Sequence, residues 1–214
     1  SMPDEFKKQL RAILRISHDG PVRIMFPMIS GMDELSQAKE LLEQAKLELS
    51  AEGTPFDEAI SIGVMIEIPS AVILGDMLSK EVDFFSVGTN DLIQYSLAID
   101  RSNERLAHMY QPLHPAVLRS LRQIVRDAHA AGIAACLCGE MAGDPLYLPV
   151  LLGLGYDELS MSAASLPRVK QILRRITRER AVRIAEGCFA FTTAAEVEMY
   201  LKREITLDVA ESFD

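Results

Sequence analysis

Apolar positions along the chain alternate between two spacings, one helical and one in short continuous runs. Residues 4–17 place Phe6, Leu10, Ile13 and Leu14 on one stripe, which predicts an amphipathic helix. Val22–Phe26 reads as a short strand stopped by Pro27, since proline cannot donate a ladder hydrogen bond. Ser30 and Asp33 stand at capping-box spacing, with Asp in place of the usual Glu, and predict a long helix to about Leu49. Gly53 and Pro55 mark the loop that follows. Ile62–Glu67 is apolar up to a terminal carboxylate, the pattern of a strand covered on both faces. Pro69 then opens a helix through Ala71, Leu74 and Leu78.

Val82–Val87 predicts the next strand, and Gly-Thr-Asn-Asp leads from it into a helical turn at Leu92–Leu97. One of Thr89, Asn90 and Asp91 is expected to cap that turn. Residues 100–114 form a polar connection without periodicity. Pro115 begins a helix over Ala116–Ala131, and Gly132 ends it. Ile133–Leu137 is a strand, Leu146–Leu152 a short helix ended by Gly153, and Tyr156–Met161 the last strand. Pro167 opens a further helix, and residues 178–187 and 193–203 predict two more.

Repeated strand–loop–helix units indicate a parallel α/β sheet with covering helices. Five strands are readable, whereas a full eight-stranded barrel takes about 250 residues. The 214 residues therefore hold either an open α/β sheet or the back part of a barrel. In both, one strand–helix–strand step brings Glu67 and Asp91 to the same rim on neighbouring strands. Two carboxylates there suit a hard divalent cation, Mg²⁺ or Mn²⁺, with places left for water and substrate oxygens. The plainer alternatives are a solvated rim carboxylate at 67 and a helix cap at 91.

Other residues near that rim bear chemistry. Cys136 and Cys138 share one face of a strand, too close in sequence for a Cys-x-x-Cys zinc pair. Cys136 is deeper and reads as core. Cys138, at the strand end beside Gly139 and Glu140, could donate a proton or attack as a thiolate. Arg101 lies beyond Asp100 and suits phosphate or carboxylate through its guanidinium fork, unless it is an ordinary surface arginine. Arg105 follows, and His108 and His114 are spaced too loosely for a metal triad. Gly88 and Gly139 belong to neither a Walker loop nor a dinucleotide fingerprint. Ser160 and Ser162 offer hydroxyls at the last strand's end, and a helix starting near Ser165 offers its N-terminus to an anion.

Net charge is −9 with a pI near 5.0, which argues against sequence-independent nucleic-acid binding. No run is long and apolar enough for membrane insertion. Three cysteines, an odd and sparse set, point to a reducing cytoplasmic setting.

Taken in order, Arg23-Ile-Met-Phe-Pro-Met-Ile, Gly63-Val-Met-Ile-Glu-Ile-Pro-Ser, Val82-Asp-Phe-Phe-Ser-Val-Gly-Thr-Asn-Asp-Leu-Ile-Gln-Tyr, Cys138-Gly-Glu-Met-Ala-Gly-Asp and Glu158-Leu-Ser-Met-Ser cover nearly the whole chain. Together they resemble the phosphoenolpyruvate-binding domain of Enzyme I of the bacterial phosphotransferase system. Pyruvate phosphate dikinase and phosphoenolpyruvate synthase are more distant relatives with similar motifs, and a nitrogen-related paralogue of Enzyme I shares them.

The resemblance implies an incomplete TIM (β/α)8 barrel of the phosphoenolpyruvate/pyruvate-binding type. Residues 1–214 would be its last five strands plus C-terminal helices, with a helical appendage over 178–214 and a cloning remnant or boundary at 1–3. It implies phosphoryl transfer from phosphoenolpyruvate to a protein histidine, releasing pyruvate, as the first step of sugar uptake. Glu67 and Asp91 would ligate Mg²⁺, with Mn²⁺ as substitute. Asn90 and Arg101 would grip the phosphate, backbone near Thr89–Asp91 would touch the substrate, and Cys138 would protonate the enolate carbon. The acceptor histidine would sit on an N-terminal domain outside this chain and pass its phosphoryl group to the histidine-containing phosphocarrier protein. None of His18, His108, His114 and His129 falls in the motif of that acceptor. The chain would then be a C-terminal fragment, inactive alone and homodimeric. A non-enzymatic binding or oligomerisation module is the competing class.

Overall fold

Five short strands hydrogen-bond in chain order, every pair parallel: β1 (Arg23–Phe26), β2 (Ser61–Ile66), β3 (Phe84–Gly88), β4 (Ala134–Cys138) and β5 (Glu158–Leu159). The structure, a computed structural model, describes residues 2–103 and 105–211. Strand order 1-2-3-4-5 has no reversal point, which distinguishes a barrel arc from a doubly wound sheet. The arc is strongly coiled. Arg23 on one edge strand reaches Glu158 on the other, with nitrogen–oxygen distances of 2.7 and 3.2 Å. The same guanidinium stacks over Phe84 at 4.8 Å. Residues facing this concave side follow the strand period: Met25, Gly63, Phe84 and Ala134 in one tier, Met65, Ser86, Cys136 and Glu158 in the next. An added Cβ at Gly63 would meet the Phe84 ring at 2.5 Å, so the aromatic fills the space glycine leaves.

Helices cover the convex side. The stripe predicted at 4–17 is α1 (Met2–Ser17), which buries Leu10 and Leu14 and packs on α2 (Met32–Ala51). Arg11 bridges Glu48 and Glu52 across that pair. Ser1 of the expected boundary lies outside the described residues, while Met2 and Pro3 begin α1. The strand at Ile62–Glu67 is followed by α3 (Pro69–Ile73) and α4 (Gly75–Leu78). After β3 comes α5 (Thr89–Leu97), then a 3-10 turn at Ala107–Met109, and α6 (Pro115–Ala130). After β4 come α7 (Glu140–Gly143) and α8 (Leu148–Leu154), and after β5 come α9 (Leu166–Leu173), α10 (Arg178–Cys188) and α11 (Ala194–Glu211). Ile184, Ala185, Cys188, Val197 and Leu201 join the same hydrophobic core as the strands. No helix among the described residues is long and apolar enough to cross a membrane.

Several local expectations are corrected. The N-cap of α2 is Gly31, not Ser30, and Asp33 makes no box. Instead Glu34 reaches back one turn, its Oε2 accepting from the Ser30 backbone N–H (2.6 Å) and hydroxyl (2.8 Å). The helix from Pro69 breaks at Leu74 into α3 and α4. An added Cβ at Gly75, just past the break, would meet Asp127 at 2.6 Å, so α6 approaches too closely for a side chain there. The last strand shrinks from Tyr156–Met161 to two residues. Tyr156 is instead buried, its hydroxyl donating to the Leu121 carbonyl at 3.1 Å.

Gly153 does not end α8; Gly155, in the left-handed region (φ 95°), does. Gly153 is there for contact: a Cβ on it would stand 2.1 Å from the Ala181 carbonyl oxygen of α10. Backbone cannot yield as a side-chain tip can. Gly153→Ala is therefore expected to destabilise by about 1–3 kcal/mol despite alanine's better helix propensity. Thermal melting should show a fall of about 2–4 °C per kcal/mol for a chain this size.

Candidate active site

β2 delivers Glu67 as the residue just beyond its paired positions, and the side chain is only 3% exposed. Its Oε1 accepts the backbone N–H of Met28 at 2.7 Å. That N–H is presented because Met28 adopts the left-handed region (φ 58°), a conformation non-glycine residues hold only when surroundings impose it. Pro27 ends β1 one residue earlier, so the exit of one strand clamps the carboxylate of the next. Burial pushes the Glu67 pKa up, the Met28 N–H pulls against that, and the Asp91 carboxylate pushes it up again. Asp91, in the first turn of α5, is thus close enough to Glu67 to act on it by charge and by hydrogen bonding. Two carboxyl groups carried by adjacent strand–helix units converge at the strands' carboxyl ends.

Gly88 makes that convergence possible. A Cβ there would lie 2.7 Å from Glu67 Oε2 and 2.9 Å from Met65 Sδ. Gly88 is also the register partner of Cys138. Glu67, Gly88 and Cys138 therefore form a row across three neighbouring strands.

Cys138 is half-buried, and its Sγ lies 3.4 Å from the Val87 carbonyl, to which the thiol donates, and 3.9 Å from the Ser86 hydroxyl. Burial raises its pKa, the Ser86 hydroxyl opposes, and Glu67 and Asp91 raise it further. The thiol is thereby kept in its protonated form at neutral pH, suited to giving a proton rather than to attack. Cys136, one tier deeper, is buried beside Arg23 and Glu158 with its pKa pushed up to about 11, chiefly by burial.

None of Thr89, Asn90 and Asp91 caps α5 with its side chain, contrary to the sequence expectation; the N-cap is Gly88. The threonine is drawn elsewhere, its hydroxyl donating to the Cys138 carbonyl at 2.9 Å. Gly139 has φ 102°, and a Cβ on it would fall 2.4 Å from that hydroxyl. Asn90 accepts at Oδ1 from the Tyr110 hydroxyl (3.3 Å) and the Glu140 backbone N–H (3.4 Å). Tyr110 is half-buried, with its pKa pushed up to about 12, first by burial and then by Glu140. Arg101 comes to the same corner, its Nη1 3.7 Å from Glu140 Oε1 and its backbone N–H donating to Gln94.

A cleft of about 600 Å³ opens beside this group, lined by Asn90, Cys138, Gly139, Glu140, Ser160 and Arg168 among others. Glu67 and Asp91 lie outside its lining, on the β2–β3 side of Cys138, near enough to act on the thiol. Ser162 and Ser165 bond to each other at the start of α9. His114 is not in the site: its Nδ1 caps α6 by accepting from the Ala116 N–H. Arg105 and His108 are exposed on the connection. Met28 and Tyr110 were not legible as site residues, since each acts through a neighbour remote in sequence; Gly88 stood out near the rim, but not its close approach to Glu67.

Among the described residues no three His, Cys, Asp or Glu side chains cluster as a metal cage. Glu67, buried, and Asp91, partly exposed, are two hard oxygen donors, and the charge of Asp91 helps push the Glu67 pKa up. That set fits a hard divalent cation that keeps waters and takes substrate oxygens, and does not fit an all-protein cage.

Comparisons with known proteins show the family. The family model described as PEP-utilising enzyme, PEP-binding domain, matches residues 1–178. Phosphoenolpyruvate-protein phosphotransferase of Geobacillus stearothermophilus is 48% identical over 206 residues, covering 96% of this chain and 36% of that protein. The namesake in Listeria monocytogenes is 47% identical over 192 residues, covering 90% and 34%. That of Haemophilus influenzae is 46% identical over 194, covering 91% and 34%. The chain thus spans about a third of the length of the curated relatives it matches. A crystal structure of a citrate lyase from Burkholderia xenovorans superposes with TM-score 0.56 at 17% identity, over 94% of this chain and 68% of that one, a likeness of fold alone. With the family pattern matched over most of its length, the chain belongs to the PEP-utilising enzymes, as their PEP-binding domain.

Proposed function

We propose that this chain binds phosphoenolpyruvate and serves the release of pyruvate in a phosphoenolpyruvate-protein phosphotransferase. The observation that carries the reading is the buried Glu67 carboxyl with the partly exposed Asp91 next to it, beside a thiol held protonated. Glu67 and Asp91 would hold Mg²⁺, or Mn²⁺ in its place. When bound, such an ion supplies positive charge against the phosphoryl oxygens and the leaving enolate. Asn90 and Arg101 donate to phosphoryl oxygens, where fixed donors stabilise charge that develops during transfer. Cys138 delivers its proton to the methylene carbon of the enolate, and Ser86 and the Val87 carbonyl hold the sulfur in place for it.

On this reading the acceptor is a histidine on another domain, which passes its phosphoryl group to the histidine-containing phosphocarrier protein, and the chain pairs with a second copy of itself. Residues 178–214 would be an appendage to the barrel arc, helical over its described part to Glu211, while 212–214 lie outside the described residues; it starts where the family match stops. Isothermal calorimetry of the chain with phosphoenolpyruvate tests the core of the reading. Binding is expected with Mg²⁺ present and lost when the ion is chelated. Binding indifferent to the ion, or none at all, would end it.

A further inference from the structure

The side chain of Asn90 can present either end of its amide to the cleft, and two donors decide which. The Glu140 backbone N–H lies on Oδ1 at 3.4 Å. A backbone N–H only donates, so the atom facing it is the oxygen. The Tyr110 hydroxyl shares that same oxygen at 3.3 Å and must donate as well. Both lie far from Asn90 in sequence: Glu140 opens α7, and Tyr110 follows the 3-10 turn in the connection to α6. Among the described residues the Nδ2 end meets no acceptor, and Asn90 lines the cleft beside Cys138.

We propose that Tyr110 is a positioning residue that holds Asn90 by its carbonyl oxygen, so that the amide NH2 group faces the phosphoryl group of phosphoenolpyruvate. The inference rests on the proposed function, which places Asn90 on the phosphoryl oxygens. A carbonyl oxygen turned toward a phosphoryl dianion would repel it, while the NH2 end offers two donors. Without the phenol, one long bond from Glu140 is left to set the amide, and both orientations become populated. Affinity then falls by the fraction held correctly. The connection over 100–114, which shows no periodicity of its own, acquires a purpose: it carries Arg101 at one end and the tether for Asn90 at the other.

The test is a double-mutant cycle on the whole chain, titrating phosphoenolpyruvate with saturating Mg²⁺ into the wild type, Tyr110→Phe, Asn90→Ala and the pair. Tyr110→Phe is expected to weaken binding by up to about twofold with Asn90 present, the limit for two equally populated amide orientations, and to add nothing once Asn90 is alanine. The Asn90 side-chain amide resonances should shift and broaden in Tyr110→Phe before any substrate is added. An equal loss in both backgrounds would make Tyr110 a merely structural residue, and unaltered binding with unmoved amide resonances would remove the tether outright. If the wild type fails to bind, or Asn90→Ala binds as well as the wild type, the placing of Asn90 on the phosphoryl group falls instead, and this inference with it.

Discussion

Cys138→Ala is expected to lower pyruvate release by about 10²–10⁴-fold, the range typical of removing a positioned acid. The assay is turnover by the full-length protein carrying this sequence, supplied with phosphoenolpyruvate and Mg²⁺. Phosphoenolpyruvate affinity should stay within about twofold, because on the proposed function the thiol acts on the enolate after the phosphoryl group leaves, and in the ground state its bonds run to Val87 and Ser86. The pH profile carries the second half of the expectation. A thiol acting as acid works only while protonated, so its contribution is complete below its pKa and lost as pH rises through it. Burial, with the nearby carboxylates of Glu67 and Asp91, moves that point above the ordinary thiol value of 9.0. The protonation step should therefore be flat across neutral pH and fall only on the alkaline side. A profile that instead rose with pH through that range would mark a thiolate nucleophile and remove the acid role. Cys138→Ala turning over at the wild-type rate would do the same.

Much of this arrangement was readable before any coordinates, and the reason is geometric. A strand in a parallel sheet is apolar along its length, so the first carboxylate after such a run, Glu67, marks the strand's carboxyl end. Repetition of the unit then assigns Asp91 to the neighbouring position on the same rim. Local rules did less well where a tertiary neighbour competed with them. Ser30 has a capping hydroxyl, but Glu34 takes both its donors. Thr89 has one too, and it is spent on the Cys138 carbonyl. Gly153 looked like a helix stop because glycine usually is one, yet it is kept for a close crossing with α10, and the stop falls to Gly155.

The residues that sequence did not reveal share one property. Met28 gives only a backbone N–H, Gly88 gives only space, and Tyr110 gives one hydroxyl to a residue 20 positions away. Tyr110 leaves neither a periodicity nor a motif, and Met28 and Gly88, though inside motifs quoted above, act through backbone and space that a motif does not spell out. Arg23 and Glu158 are similar: 135 positions apart, they meet only because the sheet is coiled enough to bring its two edges together. What the local pattern encodes is which strand end bears chemistry; what it leaves out is how neighbouring loops orient the groups there.

Glu67→Gln should move stability and function in opposite directions. Glutamine is isosteric and keeps an oxygen for the Met28 N–H. It removes a negative charge from a site 3% exposed and facing Asp91. The metal-free chain is therefore expected to gain about 1 kcal/mol, as when function-driven strain is relieved elsewhere, or about 2–4 °C in melting temperature. The sign with pH follows from a carboxyl whose folded pKa lies above its unfolded value. Its penalty is complete above the folded pKa, shrinks as pH falls from there, and vanishes below the unfolded value, where the group is protonated in both states and as neutral as glutamine. The advantage of the variant should thus be full at neutral pH and fade as pH falls through that raised pKa. Metal-dependent phosphoenolpyruvate binding should fall at least about 100-fold, near 2.7 kcal/mol, since one of the two proposed anionic ligands is gone. With Mg²⁺ and phosphoenolpyruvate present the order of melting temperatures should reverse, because a ligand that binds only the folded state stabilises the wild type alone. A variant less stable than the wild type without metal would show that Glu67 is a structural carboxylate satisfied by Met28. One that kept its magnesium dependence would show that the cation sits elsewhere.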